Sequence, residues 1–293
     1  MAQSTSEANP DALPDAEPPR IGRYAVNGTT LYAEVRGSGP AVLLIPAGGE
    51  DAEWWRPVAE RLIGHTVVTY DRRGTGRSGR EDWPGRGSVQ HADDAASLLG
   101  DLGLHDVVVF GNSSAGVVAL QLAIRHPGRV RRALVFEPGH LRQVAGGDEL
   151  HRRMREAAAE HLAANPNDWS GAAAALGRAL APASATTSPG SAGIFTPPKG
   201  KEWYWERGVA NAEPMLRDDV PIMSYEIADE AELAKADVDI RFAFGSRTTP
   251  IFRAIATHLA AVRNDTPDVI EGVTHTVHYW PDEVAAYIAG AGS

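Results

Sequence analysis

Short apolar runs alternate along the chain with longer amphipathic stretches. Ala41–Ile45 is wholly apolar, Thr66–Asp71 is β-branched up to Tyr70 and its closing acid, and Asp106–Phe110 carries no charge after Asp106. Runs of this length and composition predict buried strands. Ahead of them, Tyr24–Asn27 and Thr29–Val35 flank Asn27-Gly28, a two-residue hairpin signal. Trp54–Ile63, Ala92–Leu102 and Val117–His126 predict helices, and Pro127-Gly128 stops the last of them. Arg131–Phe136 predicts a further strand. After residue 235 the pattern resumes with a strand at Ile240–Phe244, a helix at Phe252–Val262, a strand at Asp268–Glu271 and a helix at Asp282–Ala289. This alternation after an opening hairpin predicts an α/β protein with a mostly parallel, doubly wound sheet.

The alternation breaks between 141 and 235, where the chain is Ala-rich and helical. A Ser, Thr, Pro and Gly-rich loop is expected there at Pro182–Gly200. The organisation expected is therefore a leader at 1–20, a core built from 21–140 and 236–293, and a helical insertion at 141–235. No internal repeat is evident.

Composition narrows the function classes. With 293 residues and 43% hydrophobic content the chain can bury a large core. Net charge is −10 and no basic block stands out, which argues against nucleic acid as a partner. No run approaches the roughly 18–20 apolar residues of a membrane span. The first twenty residues are polar, acidic and Pro-rich, unlike a signal peptide, and predict a disordered leader. There are no cysteines, which excludes disulfides, thiolate metal sites and a cysteine nucleophile and fits a cytoplasmic protein.

The chemistry is signalled at Gly111-Asn112-Ser113-Ser114-Ala115, followed by Gly116. It has the small-x-Ser-x-small pattern of a nucleophile elbow, and it stands between a predicted buried strand and a predicted buried helix. That turn exposes a serine hydroxyl and aims the next backbone amides at the same spot. The bare pattern occurs by chance in Gly/Ala-rich chains, and Ala115 stands where Gly is usual. The alternative is a loop serine that caps the helix.

A serine hydroxyl needs a base, and the base needs an acid that holds its tautomer. Ligands of open α/β sheets bind at the carboxyl ends of the strands. His275, directly after the last predicted strand, is the preferred base, with His278 as the competitor. The loop after Phe244 reads Gly245-Ser246-Arg247-Thr248-Thr249 and holds no carboxylate. Asp237 and Asp239 precede their strand, at the wrong end of the sheet. Asp71 opens an Asp-Arg-Arg-Gly turn that reads as structural, and it is the fallback. Glu137, after the strand that follows the elbow helix, is the preferred acid; its alternative role is to pair with an arginine. The amide of Ser114 is one expected oxyanion donor. The second comes from the loop after Ile45, where Pro46 has no N–H, leaving Ala47 or, preferably, Gly48.

Leu43–Gly49, Thr69–Ser78, Gly111–Gly116, Phe136–Pro138 and Gly272–His275 together resemble the α/β-hydrolase superfamily, with 141–235 in the place of its cap. The chain departs from the common pattern in Pro46-Ala47, where His-Gly is usual, and in the missing acid after the post-cap strand. Both departures resemble the subgroup that includes the zearalenone lactonases. The resemblance implies Ser113, His275 and Glu137 as a triad, no metal or organic cofactor, and a small-molecule carboxylic ester or lactone as substrate. A resorcylic macrolactone is one substrate of that kind. Ala47, Trp203 and Tyr204 are expected near the substrate, although aromatics spaced like the latter two more often pack in a core. The same triad would serve a cofactor-free perhydrolase or acyl transferase, and the fold also occurs in non-catalytic ligand-binding proteins. Helical insertions of this kind often mediate dimers, which leaves a homodimer open.

Overall fold

A computed structural model of the protein describes residues 9–14, 16–180, 197 and 199–292. Eight strands form one sheet in the order β1-β2-β4-β3-β5-β6-β7-β8. They are β1 Arg20–Val26, β2 Thr29–Arg36, β3 Ala41–Ile45, β4 Thr66–Tyr70, β5 Val107–Asn112, β6 Val130–Pro138, β7 Asp239–Gly245 and β8 Asp268–Ile270. The pairs β1–β2 and β2–β4 are antiparallel, and every other pair is parallel. The expected α/β-hydrolase sheet is thus present, with the opening hairpin at one edge.

Strand alternation divides the core into two layers. Leu43, Ile45, Val109 and Val135 face Leu98, Val118, Leu122 and Ile255, which lie on the helices α2 (Ser88–Asp101), α3 (Ser113–Arg125) and α9 (Pro250–Val262). Val42, Leu44, Phe110 and Phe136 face Trp55, Val58, Val284 and Ile288, on and beside α1 (Arg56–Arg61) and α10 (Pro281–Gly292). The helix expected over Trp54–Ile63 is split: Ala52–Trp55 is a 3₁₀ turn and α1 follows it, with Pro57 inside the first turn of α1. A proline there lacks only an N–H that would be unpaired anyway.

Between β6 and β7 the chain is helical, as expected. It contains α4 (Gly147–Ala164), α5 (Trp169–Leu180), α6 (Glu202–Ala210), α7 (Ala212–Pro214), a π turn at Met215–Asp219, a 3₁₀ turn at Met223–Tyr225 and α8 (Glu230–Lys235). Most of the expected loop Pro182–Gly200 lies outside the described residues.

Of the expected leader at 1–20, residues 1–8 and 15 lie outside the described residues. The Asn9 side chain donates to the Glu53 carbonyl (3.1 Å), the Leu13 amide donates to Glu60 (2.6 Å), and Asp11 pairs with Lys201 and accepts from the Tyr204 hydroxyl (3.0 Å). These hydrogen bonds tie residues 9–13 to the core and to α6, which local hydropathy does not register.

Candidate active site

β5 ends at Asn112 and α3 begins at Ser113, whose φ is 53°. A non-glycine residue rarely adopts this left-handed conformation, and holding one there costs on the order of 1–3 kcal/mol. The small neighbours explain how the turn is made. A Cβ at Gly111 would collide with the Ala115 carbonyl oxygen, and one at Gly116 would lie 3.0 Å from the Pro138 Cα. The close approaches therefore fall at 111 and 116, and Ala115 fits without a glycine. The Ser113 carbonyl accepts from the Gly139 amide (2.8 Å). Because the peptide is planar and trans, that bond turns the Ser114 N–H to the opposite side.

Glu137 is fully buried near the end of β6, also with a left-handed φ, of 42°. Its carboxylate Oε2 accepts from His275 Nδ1 at 2.7 Å, and Oε1 accepts from the Gly245 amide at 2.9 Å. The last residue of β7, whose following loop has no carboxylate, thus supplies an amide that orients the acid of the neighbouring strand. The His275 ring stacks on Phe252, with centroids 3.9 Å apart and planes 14° apart. Ser113 and His275 line the same cavity. Asp71, the fallback acid, is engaged elsewhere: Arg77 donates to both its oxygens (2.7 and 2.9 Å), and the Ala52 amide donates to one (2.9 Å).

His278 does not line this cavity. It is boxed edge-on by Trp55 (4.4 Å between centroids) and Trp54 (5.1 Å), and its Nε2 lies 3.3 Å from Glu50 Oε2. Glu50 also accepts from the Ala47 amide (2.7 Å) and the Trp55 indole (3.1 Å). Burial pushes the Glu50 carboxyl up, but the His278 imidazole and these donors outweigh it and hold it below the usual range. The Ala47 amide, one of the two expected in this loop, is thereby engaged. Gly48, Ala47 and Ser114 all line the cavity.

The cavity wall is otherwise mostly apolar, with Leu141, Met154, Leu176, Trp205, Met215 and Phe252 among its residues. Tyr204 lines it. Trp203 does not: it packs edge to face on Tyr204 (5.0 Å, 88°). Trp205, the third aromatic of this run, lines the cavity. Asp219, at the end of the π turn, also lines it and was not singled out from the sequence. Burial raises its carboxyl above the usual range, partly offset by Arg72. Among the described residues no group of three or more His, Asp or Glu side chains is placed to hold a metal ion.

The strand-turn-helix elbow on this sheet defines a class that the comparisons bear out. Residues 40–191 match the family described as alpha/beta hydrolase fold, and the chain belongs to it. Among individual relatives, an uncharacterised hydrolase of Bacillus subtilis is 43% identical over 131 residues, which is 44% of this chain and 48% of the relative. The chain spans about half the length of the curated relatives it matches. Among solved structures, an α/β hydrolase from Sphaerobacter thermophilus superposes with a TM-score of 0.68 at 24% identity, covering 92% of this chain and 99% of that one. A thermophilic esterase from Thermogutta terrifontis superposes with a TM-score of 0.70 at 20% identity, covering 93% and 97%.

Proposed function

We propose that the protein is a serine hydrolase that cleaves a carboxylic ester or lactone through an acyl-enzyme on Ser113. The observation that carries this reading is the 2.7 Å bond from His275 Nδ1 to buried Glu137, with His275 and Ser113 on one cavity. An Nδ1–H held by a carboxylate leaves Nε2 as the proton acceptor. His275 takes the Ser113 proton as Oγ attacks the carbonyl carbon. The Gly48 and Ser114 amides receive the oxyanion. Collapse of the tetrahedral intermediate breaks the bond to the alcohol oxygen, and His275 protonates that oxygen. Water then attacks the acyl carbon with His275 as base again, releasing the acid and regenerating Ser113.

The apolar wall favours a substrate with a substantial apolar or aromatic body. A resorcylic macrolactone fits that description, and so do simpler aryl esters. In a lactone the alcohol released stays attached to the acyl group, so the product is a single hydroxy acid.

A panel of aryl esters, small lactones and resorcylic macrolactones, assayed beside labelling by a fluorophosphonate, tests the proposal. Turnover of a panel member and labelling are expected, and both should vanish in Ser113→Ala. Wild-type protein that is folded yet neither labels nor turns over any panel member would support a binding role instead.

A further inference from the structure

The two amides assigned to the oxyanion belong to residues that meet one buried ion pair. Arg72 is 1% exposed and Asp219 is 3% exposed. Arg72 Nε donates to the Pro46 carbonyl (2.7 Å), and Nη2 donates both to the Ala47 carbonyl (3.1 Å) and to Asp219 Oδ1 (2.5 Å). The same Oδ1 accepts from the Ser114 hydroxyl at 2.5 Å. Gly48 lies directly against this group: a Cβ there would be 2.9 Å from Met215 Cγ and 3.2 Å from Asp219 Cβ and Cγ.

The consequence follows from peptide geometry. In a planar trans peptide the carbonyl oxygen and the next N–H point to opposite sides. Holding the Ala47 oxygen on Arg72 therefore sets the direction of the Gly48 N–H. The Glu50 carboxylate, which takes the Ala47 amide, fixes the preceding peptide in the same way. On the other side of the hole, the Ser114 hydroxyl anchors its residue to Asp219. Arg72 and Ser114 belong to the sheet core, whereas Asp219 comes from the π turn of the insertion.

We infer that Arg72, Asp219 and Ser114 form a clamp that aligns the two oxyanion amides, with Asp219 a positioning residue contributed by the insertion. This rests on the serine hydrolase reading. The oxyanion hole is then complete only when the insertion is docked on the core. An arginine suits the role because its planar fork serves three acceptors at fixed angles, which a lysine ammonium does not reproduce.

The test compares Ser114→Ala and Asp219→Asn with wild type for kcat and KM on an aryl ester and for the second-order rate of fluorophosphonate labelling. Ser114→Ala retains the amide and removes only the clamp hydroxyl, so it remains informative if Asp219→Asn folds poorly. Each variant should lose at least about tenfold in kcat, within the ~100-fold reach of small misplacements, while KM stays within about threefold. Labelling should slow in parallel, because phosphonylation of Ser113 draws on the same amides. The double variant should be little worse than the poorer single one, since both break one connected bond network. Wild-type kcat in Ser114→Ala, or losses confined to KM, would overturn the clamp. Labelling that persists in Ser113→Ala would instead overturn the hydrolase reading beneath it.

Discussion

Glu137 carries the most information of any single residue. It is buried, left-handed at φ 42°, and bonded through one oxygen to His275 and through the other to the Gly245 amide. An acid in this place does two jobs: it holds the imidazole tautomer and it stabilises the imidazolium formed in the transition state. Glu137→Gln keeps the size but loses the charge, and its amide group can present an N–H where an acceptor is needed. The expected result is a loss of roughly 10³–10⁴-fold in kcat with little change in KM, measured by steady-state kinetics on an aryl ester. A folded variant with near wild-type kcat would move the acid role elsewhere. The choice of Glu137 was legible because the loop after β7 holds no carboxylate. Its second bond was not, since a backbone amide leaves no mark in the sequence.

Elements meet tightly where β7 gives way to its loop. Gly245 closes that strand, and a Cβ on it would collide with the Val273 carbonyl, two residues before His275. The same glycine supplies the amide to Glu137. Gly245→Ala should therefore push the end of β7, whose amide holds the acid, away from the segment that carries the base. Overpacking of this kind costs about 1–3 kcal/mol, so a lower midpoint of thermal unfolding is expected together with reduced kcat. Calorimetry and kinetics on the same preparation would check it; an unchanged midpoint and kcat would show that the segments yield freely. The elbow shows the same principle. Its strand-turn-helix setting could be read from hydrophobic pattern, but that the close approaches fall at Gly111 and Gly116 needed coordinates. The split of the Trp54–Ile63 helix into a 3₁₀ turn and α1 likewise had no local signal.

For the molecule as a whole, His140 ties stability to pH. It follows the acid strand, and among the described residues neither ring nitrogen has a hydrogen-bond partner. Burial pushes its pKa down to about 4 from an ordinary 6.5. The folded protein thus keeps it neutral where the unfolded chain would protonate it. The stability tied to this residue is complete above the unfolded value and is lost as pH falls from 6.5 toward 4. The difference corresponds to about 3 kcal/mol. Denaturant titrations of the wild type and His140→Leu between pH 7 and 4.5 should show a shallower loss in the variant; equal slopes would refute the assignment. The insertion also matters at this scale. Asp218 accepts from the Trp83 indole (2.9 Å) and contacts His91 Nε2 (2.8 Å), Asp219 meets Arg72, and Glu226 accepts from the Ser88 amide (2.9 Å). The insertion is thereby pinned to the core through buried polar contacts.

The order of strands and helices, the interruption between β6 and β7, the elbow serine and the candidate base were all legible in the sequence. Each is encoded locally, in hydrophobic period, turn residues and position relative to a strand end. The missing carboxylate after Phe244 extended that reach to Glu137, because an absence at a defined position is also local. Tertiary structure decided what depends on residues far apart in the chain. It set Trp203 off the cavity and Trp205 on it, drew residues 9–14 onto α6 and the core, and joined Arg72, Ser114 and Asp219 across 147 positions. Such long-range pairings arise from how elements pack, and no short window of sequence contains both partners.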